Sequence, residues 1–234
     1  MKSPRTDARG CERRTGGRVE TRGPWWTLVA LALLVPCKTH AAGDPPQQRW
    51  VSLSLLAGSA QPIAGMADYQ WDVRPHAAWG AEVLAGTGPF STGVRWWRAG
   101  TTQGLGLVGV ENPAVHTSSI ELVTRARVAH WRVVQLLATA SGGRLAITYQ
   151  PDRLTVDAGG TPVEVALAPL HEWIGGAGLA LSAPLAGGWT WGVETERRMF
   201  SLETAHRSGS SVTLARETFG DWSARAALSR AWDW

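Results

Sequence analysis

Three residues near the carboxyl-terminal end of the chain have side chains that could carry out hydrolysis. His206 and Ser208 are separated by one residue, and Glu217 follows in the next segment. A histidine can deprotonate a serine hydroxyl for nucleophilic attack, and a carboxylate can orient the imidazole. The competing interpretation is a solvated loop, because residues 207–211 read Arg-Ser-Gly-Ser-Ser. The composition of this stretch favours the loop.

A second group of charged residues lies close by in the sequence. Glu194, Glu196 and Arg198 occupy alternate positions, and Arg225 lies in the following segment. If these side chains point into a narrow interior, we expect an ion-paired, hydrogen-bonded network, because unpaired buried charges are costly. The alternative is a polar pathway or a ligand pocket, which would require a wider interior.

The sequence contains little that indicates a cofactor, a metal or a nucleic acid. Four scattered histidines lack the spacing of metal ligands, and they are His76, His116, His130 and His171. No glycine-rich phosphate loop opens a helix after a strand. The formal net charge of +4 comes from an excess of basic residues in 1–42, so a basic nucleic-acid-binding face is not expected in the remainder. We therefore expect no metal and no cofactor.

Residues 1–42 have the pattern of a secretory signal peptide. A basic stretch precedes the apolar run 25–35, which is too short to span a bilayer, and small residues follow at Ala41 and Ala42. The alternative is a helical anchor or a short buried helix. Both cysteines, Cys11 and Cys37, fall inside this leader. The remaining chain, 43–234, would then carry no thiol.

Apolar and polar residues alternate with period two along the last third of the chain. The pattern covers 173–183, 189–200 and 222–234, with a short turn at 184–188 and a longer connection at 201–210. This periodicity predicts strands of an antiparallel sheet. Weaker patterns predict further strands at 50–57, 76–86, 93–98, 103–111, 144–150, 153–157 and 162–167.

The apolar face of these strands could pack against a second sheet, as in a soluble sandwich, or face lipid, as in a membrane barrel. Trp222 and Trp232 are ten residues apart on one face. That interval corresponds to about 23 Å of membrane normal for a tilted strand, close to the apolar band of about 25 Å in such barrels. The spacing favours the barrel, with girdle residues Trp173, Trp189, Trp191, Trp222, Trp232 and Trp234. Arg197 and Arg230 also fall on this face and could reach the membrane interface.

The chain ends on an aromatic residue, Trp234, two positions after Trp232. In these features and in its leader, the sequence resembles bacterial outer-membrane β-barrel proteins, although their last residue is usually Phe. The resemblance covers residues 173–234 well and the middle of the chain loosely. It implies an all-β, closed antiparallel transmembrane barrel of eight to ten strands. It also implies contact with outer-membrane lipid and lipopolysaccharide, and with the barrel assembly machinery through the carboxyl-terminal strand.

Two segments of the sequence allow an alternative structure or function. Residues 118–140 alternate as strands do, but Ser118 and Glu121 could form a helix capping box, so a helix or an irregular insertion is the alternative. The His206, Ser208 and Glu217 set is similar to that of lipid A deacylases of the outer membrane, with Gly209 where that family has Asn. The favoured role is a non-enzymatic envelope protein. A barrel-embedded acyl hydrolase and a soluble periplasmic binding protein are the alternatives.

Overall fold

The computed structural model describes residues 49–106, 110–157, 159–208 and 211–233. The fold is all-β, and two short 3-10 turns, Ala64–Tyr69 and Ala186–Gly188, interrupt the strands. The strands are β1 (Arg49–Pro62), β2 (His76–Thr87), β3 (Phe90–Thr102), β4 (Ala114–Trp131), β5 (Val134–Gln150), β6 (Arg153–Asp157), β7 (Pro162–Ala166), β8 (Leu170–Pro184), β9 (Trp189–Ser208) and β10 (Ser211–Asp233). The predicted leader, 1–42, and Trp234 lie outside the described residues.

Eight of these strands form one closed antiparallel barrel. The order around it is β1, β10, β9, β8, β5, β4, β3, β2, and β6 pairs only with β7 in a separate hairpin. The barrel closes between β1 and β10, whose register runs from Trp50 opposite Asp233 to Pro62 opposite Asp221. The predicted closed barrel is confirmed. The soluble sandwich is wrong, because the sheet closes on itself and no second large sheet is present among the described residues.

The two ends of the barrel differ in their connections. Short turns at 88–89, 132–133 and 185–188 form one end, which we call the turn end. Longer connections at 63–75, 103–113 and 151–169 form the other, the loop end, where the β9–β10 hairpin also protrudes. Outer-membrane barrels have short periplasmic turns and longer extracellular loops.

The strands are tilted, as closure of a barrel requires. Paired residues can be followed around the sheet from Ser54 on β1, through Glu82 on β2, to Phe219 on β10, whose partner position on β1 lies beyond Pro62. Paired residues are therefore not at the same height along the barrel axis. On passing from β5 to β10, the residue at the same height lies about one position nearer the turn end, for each strand crossed, than the paired residue.

Alternation along each strand separates an outer from an inner face. The outer face carries large exposed apolar side chains, among them Leu55, Ile120 and Leu122, which are 66%, 62% and 61% exposed. The inner face carries buried charged and hydroxyl groups, such as Ser54 and Glu82. This is the reverse of a soluble protein, whose apolar residues lie inside.

Residues 118–140 form strands, so the helix alternative is wrong. β4 and β5 are joined by a tight turn at 132–133, where Arg132 adopts a φ of 53°. The pairing of β4 with both β3 and β5 satisfies the backbone hydrogen bonds of this segment. The capping-box residues Ser118 and Glu121 lie on opposite faces of β4, with Glu121 buried inside the barrel.

Two other predictions about strand limits are wrong. Residues 103–111 do not form a strand in their described part: Gln103 makes a single bridge to Trp71, and Gly106 has a φ of 64°. Residues 201–208 are not a loop, because β9 continues to Ser208 and pairs with β10 from Ser211 onward. Cross-strand pairing of polar residues extends this hairpin well beyond the barrel.

The close packing at Gly143, which faces the barrel interior, can be tested by substitution. A β-carbon on Gly143 would overlap the carbonyl oxygen of Ile120, whereas one on Gly65 would meet nothing within 4 Å. We expect Gly143→Val to destabilise the barrel by about 1–3 kcal/mol through overpacking. Gly65→Val is the control, with little effect expected. Equal urea midpoints for the two variants in detergent would contradict the packing described here.

Candidate functional site

The centre of the barrel interior is occupied by a buried arginine, Arg95 on β3. Its side chain has no solvent exposure. It donates hydrogen bonds to Glu82 at 3.0 Å, to Glu194 at 2.9 Å and to Glu196 at 2.7 Å. These carboxylates come from β2 and β9, so one guanidinium links opposite sides of the barrel wall.

Three more arginines complete what we call the lumen network. Arg198 forms a two-pronged ion pair with Asp221, with both distances 2.8 Å, and it also contacts Glu121 at 3.1 Å. Arg125 donates to Glu82 at 2.7 Å and also to Glu194, while Arg225 donates to Glu196. Within the described residues, the network consists of Arg95, Arg125, Arg198, Arg225, Glu82, Glu121, Glu194, Glu196 and Asp221. Nearly every charge has an oppositely charged neighbour.

The structure places Glu194, Glu196, Arg198 and Arg225 together inside the barrel, and it adds partners that the sequence analysis missed. Glu82 and Arg95 are the additions from β2 and β3, and Glu121, Arg125 and Asp221 are the others. A signal was available: between His76 at the start of β2 and Thr87 at its end, Glu82 is the single polar residue among small and apolar ones. An isolated charge of that kind in a membrane strand faces the interior.

An apolar cluster covers the network at the loop end. Met66 and Trp71, from the connection between β1 and β2, are buried among side chains from the barrel wall. Those wall residues are Val115, Leu145, Ile147, Ile174, Phe200, Leu202 and Phe219. We call the segment 63–75 the cover loop, since it folds over the loop end of the barrel. Its sequence contains no period that would have revealed this position.

The cover loop is joined to the protruding hairpin by a hydrogen bond from the Tyr69 hydroxyl to Glu217. Glu217 also lies 2.9 Å from His206 Nε2, which contacts Thr204 Oγ1 at 3.1 Å. Thr204, His206 and Glu217 lie on the part of the β9–β10 hairpin that protrudes from the barrel. The bond from Tyr69 lowers the pKa of Glu217, and the same bond raises the pKa of Tyr69.

This geometry does not favour the acyl hydrolase. The structure brings His206 and Glu217 together, but the same carboxylate accepts the Tyr69 hydroxyl, and His206 Nε2 lies toward both Glu217 and Thr204. The side chain of Ser208 lies outside the described part of the structure. The His206–Glu217 pair therefore belongs to the contact that holds the cover loop.

The Tyr69–Glu217 contact predicts a pH-dependent cover loop. The lowered carboxyl pKa means that the contact is complete above the ordinary carboxyl pKa and is lost as the pH falls through the folded-state value. The raised tyrosine pKa means that it is also lost at strongly alkaline pH. In Tyr69→Phe we expect faster amide hydrogen exchange over 64–71 at pH 7, corrected for intrinsic rates, and a weaker dependence on acid. Tyr149→Phe is the control, and equal exchange in both variants would contradict the contact.

Tryptophans form a belt at each end of the outer face. Trp79, Trp173 and Trp222 are exposed toward the loop end. Trp189, Trp191 and Trp232 are exposed toward the turn end, where Arg230 lies 5.7 Å and 5.9 Å from the Trp189 and Trp232 rings. Arg197 lies over Trp222 at the loop-end belt, where its side chain can reach the membrane interface.

A closed barrel with a polar, ion-paired interior, an apolar outer face and aromatic belts at both edges is a transmembrane β-barrel of the outer-membrane class. The localisation that follows from this class is the bacterial outer membrane. Among the described residues, no helix has the length and apolar character needed to cross a bilayer. Nor does this part of the chain contain a cluster of three or more histidine, cysteine or acidic side chains arranged for a metal ion.

Comparison with known proteins gave matches to solved structures only; no family model and no curated protein matched. A major outer membrane protein from Thermus thermophilus is 11% identical, with a TM-score of 0.46, covering 79% of this chain and 99% of that one. Neisserial surface protein A is 12% identical, with a TM-score of 0.38 and coverage of 77% and 96%. The attachment invasion locus protein of Yersinia pestis is 12% identical, with a TM-score of 0.38 and coverage of 78% and 98%. At these values the similarity does not extend to function.

Proposed function

We propose that this protein is a non-enzymatic outer-membrane barrel with a closed lumen, which serves in envelope structure or in surface interaction. The observation that carries the proposal is the lumen network, whose arginines and carboxylates occupy the middle of the barrel with almost no exposure. The lumen of an eight-stranded barrel is only wide enough to be filled by side chains. Ions or solutes would have to displace paired, buried charges in order to pass.

The apolar cluster under the cover loop supports the same proposal. Met66 and Trp71 are 2% and 7% exposed, so apolar side chains fill the loop-end side of the lumen. An ion approaching from this end would lose its hydration before reaching the network, at a high cost in free energy. If the lumen is closed, the exposed connections and the outer face are the surfaces that can contact other molecules.

The protruding hairpin is the feature that suits surface interaction. Val212 and Leu214 on β10 are 64% and 72% exposed, although they lie beyond the loop-end tryptophan Trp222. Exposed apolar side chains outside the membrane are common at contact surfaces. Residues 1–42 would direct export, the carboxyl-terminal strand would engage the barrel assembly machinery, and the outer face would contact lipopolysaccharide.

The closed lumen is tested by conductance in planar bilayers. The refolded protein should insert, as judged by its heat-modifiable gel migration, and produce no discrete conductance steps, while a porin in the same bilayers conducts. Reproducible steps from the inserted protein would contradict the proposal. A strain that lacks the protein should retain an unchanged lipid A acylation pattern, and a changed pattern would instead favour the hydrolase.

A further inference from the structure

Outward-facing arginines and tryptophans alternate across four neighbouring strands at the loop-end belt. They are Arg144 on β5, Trp173 on β8, Arg197 on β9 and Trp222 on β10. The Arg144 guanidinium lies 4.8 Å from the centre of the Trp173 ring, and that of Arg197 lies 5.4 Å from Trp222. Each arginine is therefore held against an aromatic face in a cation–π contact.

The tilt of the strands reduces the difference in height between the two arginines. Arg144 pairs with Trp173, whereas Arg197 pairs with Ala177, farther along β8 toward the turn end. Ala177 is four residues from Trp173, and a descent of about one residue per strand over two strands accounts for about half of this offset. The two arginines are therefore two strands, or roughly 10 Å, apart across the sheet, with Arg197 about two residues nearer the turn end.

Neither guanidinium has an anionic partner within the described residues. Arg144 and Arg197 make ring contacts, but no hydrogen bond or ion pair to another described side chain. Two other exposed arginines differ in this respect: Arg216 is 2.7 Å from Glu172, and Arg153, on the separate β6–β7 hairpin, is 3.0 Å from Glu164. The planar N–H groups of Arg144 and Arg197 are therefore available to bind phosphate, which arginine recognises through paired hydrogen bonds.

An apolar groove runs along the outer face below Arg197. Its volume is about 590 Å³, and its lining includes Ala57, Leu179, Leu181, Val193, Ala224 and Ala226. The alanines of β1 and β10 lie beside the larger side chains of β8 and β9, which produces the depression. Thr195 and Ala224, which pair with each other at the groove, are two residues from Arg197 and Trp222. The groove thus begins next to Arg197, on the turn-end side of this residue.

We propose that this face binds one lipopolysaccharide molecule of the outer leaflet, with its lipid A phosphates on Arg144 and Arg197 and an acyl chain in the groove. The inference rests on the proposed function and on an orientation with the longer connections of the loop end outside the membrane, as is usual in outer-membrane barrels. Two unpaired cations two strands apart suit a headgroup with two phosphates, whereas an ordinary phospholipid has one. A second copy of the chain is a poorer occupant, because a protein surface seated on this face would bury both guanidinium groups without a partner.

Lipid binding to the purified full-length protein in detergent tests the proposal, with native mass spectrometry to count bound molecules. We expect one bisphosphorylated lipid A per barrel, weaker binding of monophosphorylated lipid A, and still weaker binding of phosphatidylglycerol. Arg144→Gln with Arg197→Gln should reduce the affinity for bisphosphorylated lipid A by about tenfold or more for each arginine removed. Arg153→Gln, which changes an arginine on the separate β6–β7 hairpin, should bind as the wild type does.

Three results would overturn the proposal. They are an unchanged affinity in the double variant, equal binding of all three lipids, and a dimer in place of a lipid complex. Ala226→Leu, which fills the groove without altering a charge, provides a second, independent test and should also weaken lipid A binding. Heat-modifiable migration and insertion into bilayers are checked for each variant. If the wild type does not insert, the membrane assignment fails, whereas an inserted barrel without lipid selectivity contradicts only this inference.

Discussion

Replacement of Arg95 by Met should destabilise the barrel by about 3–5 kcal/mol, the usual cost of removing one partner from a buried ion pair. Arg95 is completely buried and contacts Glu82, Glu194 and Glu196 within 3.0 Å. Without it, these carboxylates share fewer cations in an interior that water reaches poorly. The free energy of unfolding, measured by urea titration in lipid vesicles, should fall accordingly.

Arg98→Met is the matched control for this prediction. Arg98 lies on the same strand, and its side chain is exposed on the outer face. Loss of its charge should change the stability by less than about 1 kcal/mol. If Arg95→Met were as stable as Arg98→Met, the lumen network would not contribute to stability in the way its geometry indicates.

Introduction of an arginine at Leu55 should destabilise the membrane-inserted protein by about 2–4 kcal/mol. Leu55 lies on the outer face of β1 opposite Leu228 of β10, which is between the two tryptophan belts. It is 66% exposed, so nothing within the chain would exclude a longer, charged side chain. The loss of stability arises because hydrocarbon surrounds this position. The same substitution at a solvent-facing position would change the stability very little.

Gln61→Arg provides the comparison on the same strand. Gln61 is exposed and pairs with Trp222, so it lies at the loop-end belt. An arginine at the interface costs about 0–1 kcal/mol. Equal effects of the two substitutions on vesicle refolding would show that no depth-dependent apolar medium surrounds the barrel.

The last two strands of the barrel could be predicted from the sequence because period-two alternation there is long and strongly contrasted. That alternation also places Glu194, Glu196 and Arg198 on one side of β9, and Arg225 on the facing side of β10. A long alternating segment reveals faces directly, since a strand has only two. The closure of the barrel followed from the belt spacing together with the class resemblance.

Other features depend on contacts between distant parts of the chain. Arg95 contacts Glu196 across more than a hundred residues of sequence, and no local pattern encodes that pairing. The cover loop reaches its position because Met66 and Trp71 find an apolar mouth built from five other strands. The extension of β9 and β10 was missed because residues 201–210 are mostly small or polar, which weakens the alternation on which strand prediction depends.

The medium around the outer face can be measured directly by spin labels on β10. In a full-length Cys11→Ser, Cys37→Ser background, single cysteines at Leu228, Ala226 and Ala227 would carry nitroxides in reconstituted vesicles. We expect the labels at 226 and 228 to collide with dissolved oxygen but not with a water-soluble nickel complex, and the label at 227 to be shielded from both. Strong collisions of labels 226 and 228 with the nickel complex would contradict a lipid-facing barrel.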